Sequence, residues 1–201
     1  MTGRPFAILT VCEGNISRSP AAQFLLAAAL GKCFTVESAG VAADGVAGRP
    51  VDRWTRSYLS KRGVNSSAHG ARQLNGALIG NAELILTMTL DQRAWVVAEV
   101  PRALRRTFTI REFARLALAV RGQNPNSLSD MVRRAAASRA VYPVAPGGSD
   151  EIADPAGGLP ADYEAAFEMI DRAVALIVPE LTRYERLRAP AGARPHAGFV
   201  L

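Results

Sequence analysis

The chain has 201 residues, 49% of them hydrophobic, and a formal net charge of +6. That is enough for one domain with a substantial core, and no run reaches the ~20 apolar residues that cross a bilayer as a helix. Two cysteines, Cys12 and Cys33, are too few for a disulfide framework, and the short apolar start is needed as a strand rather than as a signal peptide, so the cytoplasm is the expected setting.

Phe6 to Val11 reads as a buried strand. Ala21 to Leu30 is strongly helix-forming, with Ser19 suited to the N-cap and Pro20 to the first helical position. Between them lies Cys12-Glu13-Gly14-Asn15-Ile16-Ser17-Arg18-Ser19. Gly14 and Asn15 are the residue types most tolerant of positive φ. Consecutive backbone N–H groups closing onto a helix N-terminus form an anion nest, and Arg18 adds a guanidinium fork that matches two phosphate oxygens. The same positive field favours a thiolate at Cys12, and Ser19 can donate its hydroxyl to it. The implied reaction is attack of sulfur on phosphorus, then hydrolysis of the phosphocysteine by water. The plainer alternative is a buried structural cysteine beside a helix cap. Asn15-Ile16-Ser17 matches a glycosylation sequon, which a tight loop in an intracellular protein would not use.

Cys33, just before the second strand at Phe34 to Ser38, is expected to be a buried, inert thiol. A loose Ala/Gly/Val loop runs to Pro50, and a helix is expected over Val51 to Arg62, stopped by Gly63. Trp54 and Tyr58 fall in that helix as core residues. His69 to Leu74 returns to the sheet, with His69 as scaffold rather than acid or base. Ala82 to Met88 is a third strand, Leu90 to Val97 a helix, and Thr107 to Ile110 a fourth strand. Helices follow over Glu112 to Val120 and Leu128 to Ala140, then a Pro/Gly loop over Pro143 to Ser149. A final helix runs from Pro160 to about Arg186, with Pro179 expected to kink or end it. The alternation predicts an α/β fold, a doubly wound parallel sheet in a single domain over 1–186, with 187–201 a disordered tail. Such sheets place ligands at the carboxyl ends of their strands.

The excess positive charge falls in 101–139, which holds Arg102, Arg105, Arg106, Arg111, Arg115, Arg121, Arg133, Arg134 and Arg139 against Glu112 and Asp130. This segment is either a docking face for an acidic or phosphorylated partner or, the favoured reading, a set of solvated helix faces. Nucleic acid is not favoured, because aromatics are sparse and no binding motif appears. No His/Cys/Asp cluster has metal-ligand spacing, so neither metal nor cofactor is expected.

The cysteine loop resembles that of the low-molecular-weight protein tyrosine phosphatases. Further matches follow in order: Glu37-Ser38-Ala39-Gly40, His69 to Leu74, Ala82 to Met88, and Asp154-Pro155. The resemblance runs from about Pro5 to about Leu181 and is weakest between Phe113 and Ile152. It implies a four-stranded parallel sheet with helices on both faces and a phosphomonoester hydrolase that needs no metal. Cys12 would be the nucleophile and Arg18 the clamp, with Glu13, Gly14, Asn15, Ile16, Ser17 and Arg18 cradling the phosphate. The leaving oxygen needs a proton that the thiolate cannot supply. From the residues alone Asp150, Glu151 and Asp154 compete for that role; the resemblance of Asp-Pro to the family's acid loop selects Asp154.

Three positions depart from the family. Ser17 stands where a second cysteine is common, which removes a protective disulfide. Ala156-Gly157-Gly158 replaces the aromatics that often follow Asp-Pro, and Val41 to Gly48 carries none of the family's other aromatic wall. The expected cleft is therefore open, able to take phosphoserine, a small phosphate ester or a phosphorylated sugar as well as phosphotyrosine. Two other functions compete. An arsenate reductase of this fold would need further cysteines in a later segment, and a non-catalytic phosphate-binding module would not need Cys12, Arg18 and Asp154 together.

Overall fold

The computed structural model describes residues 4–185; the expected tail, 187–201, lies outside them. Four strands, β1 (Phe6–Cys12), β2 (Phe34–Gly40), β3 (Leu84–Thr87) and β4 (Thr107–Thr109), form one parallel sheet in the order β2-β1-β3-β4. Seven α-helices accompany it: α1 (Arg18–Ala29), α2 (Arg53–Ser60), α3 (Gly76–Asn81), α4 (Leu90–Glu99), α5 (Ile110–Ala119), α6 (Leu128–Ala137) and α7 (Pro160–Glu185). The doubly wound arrangement is as the sequence predicts.

Strand alternation splits the core in two. Phe6 and Ile8 of β1, with Leu84 and Leu86 of β3, pack with α1, α5 and α7. Leu9, Val11 and Ile85 point the other way, onto Ile79 of α3 and Val96 of α4. Because both faces are covered, β1 and β3 read as continuous apolar runs. The helix starts are written locally. Thr89 and Thr109 each close a capping box, with Gln92 and Glu112 respectively, and Asp52 and Ser127 cap α2 and α6.

Four expectations are corrected. Helix α1 begins at Arg18 with Ser17 at its N-cap, so Ser19 and Pro20 lie within the first turn. The short α3 appears where no helix was predicted, its start marked by the N-cap Asn75, whose side-chain Oδ1 accepts from Leu78 N at 3.0 Å. Helix α7 does not end at Pro179 but runs on to Glu185; Ile177, Leu181 and Tyr184 are buried around it, and that packing holds the helix despite the missing donor. Cys33 is exposed, not buried. It sits in the turn before β2, its carbonyl accepting from Phe6 N at 2.8 Å, and β2 is an edge strand whose first half is partly open to solvent.

Candidate active site

Cys12 ends β1 in register with Gly40, the last residue of β2. The following loop is fixed by its carbonyls. Those of Cys12 and Glu13 accept from Val41 N and Ala42 N, both at 3.0 Å; that of Ile16 accepts from Asp52 N at 3.1 Å, and that of Ser17 from Ala21 N at 3.0 Å. The Asn15 carbonyl accepts from His69 Nε2 at 2.8 Å. With its carbonyls turned outward, the loop leaves the N–H groups of Gly14 to Ser17 without a protein acceptor among the described residues, the arrangement of an anion nest.

Asn15 holds the loop from beneath. It has φ of 53° and is fully buried, which also removes it as a glycan acceptor. Its Nδ2 donates to Ser19 Oγ at 3.0 Å and Ser38 Oγ at 2.8 Å, and its Oδ1 accepts from Arg72 N at 3.0 Å. Ser38 Oγ in turn donates to Gln23 Oε1 at 2.5 Å. Ser19 Oγ lies 2.9 Å from Cys12 Sγ. Ser19 Oγ accepts from Asn15, and its one proton has two acceptors in reach, the Ala39 carbonyl at 3.3 Å and Cys12 Sγ, of which a thiolate would be the nearer and the charged one. Gly40 makes this closeness possible: a Cβ there would fall 2.3 Å from the Glu13 carbonyl oxygen and 2.8 Å from Asn15 N.

His69 is scaffold. Its partner is a carbonyl oxygen, so Nε2 carries the proton. Burial holds its pKa below the usual histidine value; the bond to Asn15 works the other way, and nearby Arg72 adds to the lowering.

Arg18 is almost fully buried, at 2% exposure. Its Nη1 donates to the Ile152 carbonyl at 2.9 Å and its Nη2 pairs with Asp154 Oδ2. The structure thus brings Arg18 and Asp154 to one cleft at the carboxyl end of the sheet, with Cys12 and Ser19 buried in the loop that Glu13 and Arg18 present to it. The competing carboxylates are committed elsewhere: Asp150 pairs with Arg115, and Glu151 Oε1 accepts from Leu90 N at 2.7 Å. The Asp154 loop carries a further clamp, Arg111 Nη1 to the Glu151 carbonyl at 3.0 Å.

The cleft, about 480 Å³, is lined by Glu13, Arg18 and Asp154, by Val41, and by Asp91, Gln92 and Trp95 of α4. Trp95 corrects the expectation of a cleft without an aromatic wall. Sequence reasoning missed it because the family's walls lie in two other loops. The signal available was that α4 starts at the carboxyl end of β3, where these sheets bind ligands. Trp54 and Tyr58 pack on the core as expected, Trp54 against Tyr163 and Tyr58 against Phe167. No group of three or more potential metal ligands occurs among the described residues.

A nucleophile loop after the first strand of a parallel α/β sheet, closed by an arginine and facing an aspartate loop, defines the phosphotransfer site of a cysteine-dependent phosphatase. The model of the low molecular weight phosphotyrosine protein phosphatase family matches residues 7–129. The probable low molecular weight protein-tyrosine-phosphatase EpsP of Ralstonia solanacearum is 40% identical over 105 residues, covering 52% of this chain and 70% of that protein. Among solved structures, the YwlE arginine phosphatase of Geobacillus stearothermophilus superposes with a TM-score of 0.70 at 26% identity, covering 92% of this chain and 99% of its own. Wzb of Vibrio vulnificus in complex with benzylphosphonate gives 0.66 at 25% identity, covering 88% and 99%. The chain belongs to the low molecular weight protein tyrosine phosphatase family.

Proposed function

We propose that this phosphatase acts on phosphotyrosine in proteins, with Cys12 as nucleophile, Arg18 as clamp and Asp154 as acid and then base. One observation carries the chemistry: the Arg18 guanidinium, beside the Cys12 loop, is gripped by the segment that holds Asp154. Phosphate oxygens take the loop N–H groups and the Arg18 fork. The Cys12 thiolate, held by Ser19, forms the S–P bond as the P–O bond to the leaving group breaks, and Asp154 gives that oxygen its proton. Water then attacks phosphorus, Asp154 takes its proton, and the S–P bond breaks to release phosphate and the thiolate. The phosphoryl charge is met by Arg18 and the loop N–H groups, so no metal enters the scheme.

Trp95 supports the substrate class. With Val41 it offers an apolar wall at the cleft, suited to a ring attached to the ester oxygen. The need for a reduced Cys12 suits the cytoplasm; no helix among the described residues is long and apolar enough to cross a membrane.

The test is hydrolysis of p-nitrophenyl phosphate in excess EDTA. Cys12→Ser should abolish turnover, and Asp154→Ala should lower kcat by about 10²-fold. Trp95→Ala should raise KM for a phosphotyrosine peptide several-fold, with Trp95→Phe restoring it. Turnover unchanged in Cys12→Ser would refute the mechanism. Faster turnover of N-phosphoarginine or phosphoserine peptides than of phosphotyrosine would refute the substrate class.

A further inference from the structure

The arginine-rich segment divides on inspection. Arg111 and Arg115 hold the acid loop, and Arg121 pairs with buried Glu180 of α7. These are internal pins. A different set lines a groove of about 740 Å³ beside the β4 edge, between α4, α6 and the 3₁₀ turn at Pro101–Arg106. It contains Arg93, Arg105, Arg133, Arg134 and Arg139. Among the described residues only two carboxylates answer them, each already shared. Glu112 takes Arg139 at 2.8 Å and Arg93 at 3.6 Å; Asp130 takes Arg133 at 2.8 Å and Arg134 at 2.9 Å. Arg105 is exposed and forms no ion pair among the described residues. Five guanidinium groups sharing two carboxylates leave a concave surface of net positive charge.

Helix α4 ties this groove to the active site. Asp91, Gln92 and Trp95 face the catalytic cleft, while Arg93 faces the groove. The helix is the wall between the two. We infer that the groove docks an acidic segment of the polypeptide whose phosphoresidue occupies the catalytic cleft; this rests on the protein-phosphatase reading above. Charge complementarity sets the sign of the segment, and planar guanidinium forks suit carboxylates. The wall sets the spacing. A helix is about 10–12 Å across and an extended chain advances about 3.3 Å per residue, so the acidic residues begin roughly four positions from the phosphoresidue.

The experiment compares two phosphotyrosine peptides that differ in one block starting four residues from the phosphotyrosine. One carries four glutamates, the other four glutamines, and each is made with the block on either side. The wild type should favour the glutamate peptide in one orientation by about 10-fold in kcat/KM at low salt, and the preference should fade at 0.5 M salt, roughly, where exposed charges are screened. Arg105→Glu with Arg133→Glu should erase the preference and leave p-nitrophenyl phosphate turnover unchanged. No preference in either orientation, or equal losses on both substrates, would overturn the proposal. A fluorescein-labelled, unphosphorylated glutamate peptide separates this from the substrate reading. Binding by the wild type that the double variant loses supports the groove even where phosphotyrosine is not turned over; equal binding by both proteins refutes it. Displacement of that peptide by submillimolar ATP, with no preference in turnover, would make the groove a small-anion site and overturn the acidic-segment assignment.

Discussion

Two loops meet over the Arg18 guanidinium, and they are held in different proportions by backbone and by side chains. The Cys12 loop is buried at Cys12, Asn15 and Arg18 and tied at its backbone: each carbonyl from Cys12 to Ser17 named above bonds a neighbour, and Asn15 closes the loop from below. The Asp154 loop is largely exposed. It is held mainly by side chains: three arginines, Arg18, Arg111 and Arg115, reach it from α1 and α5, Thr109 Oγ1 donates to the Asp150 carbonyl and Glu151 accepts from Leu90 N, beside one backbone bond from Ile152 N to the Met88 carbonyl. The difference suits the division of labour in the proposed mechanism. A nucleophile and its phosphate cradle need fixed geometry in both chemical steps, whereas the acid must meet first a leaving oxygen and then a water. An arginine-anchored loop can shift while staying attached.

The sharpest way to break the comparison is to disturb the backbone of the first loop. Gly40→Ala drives a Cβ against the Glu13 carbonyl, so the loop must move. A displacement of about 1 Å in such a cradle costs on the order of 10²-fold, so kcat for p-nitrophenyl phosphate should fall at least that far. Phosphate affinity, read by competitive inhibition, should fall with it. A fully active variant would show that the loop is less constrained than its bonds imply.

The second loop should yield more gently. Arg115→Ala frees Asp150 and removes one clamp of three. We expect kcat to fall several-fold with little change in phosphate inhibition, because the cradle is untouched. The loss should grow as the leaving group becomes more basic, since poorer leaving groups depend more on the acid. A uniform loss across leaving groups would place Arg115 in general stability rather than in acid positioning.

The same contrast explains what was legible in the sequence. Cys12, Arg18 and Ser19 lie within eight residues at a strand-to-helix junction, so local reasoning reached the contact of Cys12 with Ser19. Asp154 stands 136 positions from its partner Arg18, and only a resemblance to a known family separated it from Asp150 and Glu151. Trp95 was not legible at all, and Gly40 was legible only as part of a family match, without its role. A tryptophan on a helix reads as core until the sheet order puts that helix beside the cleft, and the role of Gly40 depends on a neighbouring strand's loop passing where a Cβ would sit. The basic run misled in part for a similar reason: its charges divide between pins and a groove only once α5, α6 and α7 are packed.

The smallest effect expected concerns His69, which joins the segment before β3 to the nucleophile loop. Burial lowers its pKa in the folded chain. As pH falls through the ordinary histidine value near ~6.5, the unfolded chain takes up the proton first. Stability is therefore present above that value and is lost as pH drops toward the folded-state pKa. The sign follows because the unfolded state binds more protons in that window. His69→Gln keeps a donor for the Asn15 carbonyl but does not titrate. The difference in Tm between wild type and variant should narrow as pH is lowered from 7 to about 5, by a few degrees at most. Carboxylates common to both proteins cancel in that difference. A gap that widens on acidification would mean that protonated His69 is better accommodated than neutral His69, with its second N–H finding an acceptor and the ring serving as a charged clamp on the loop.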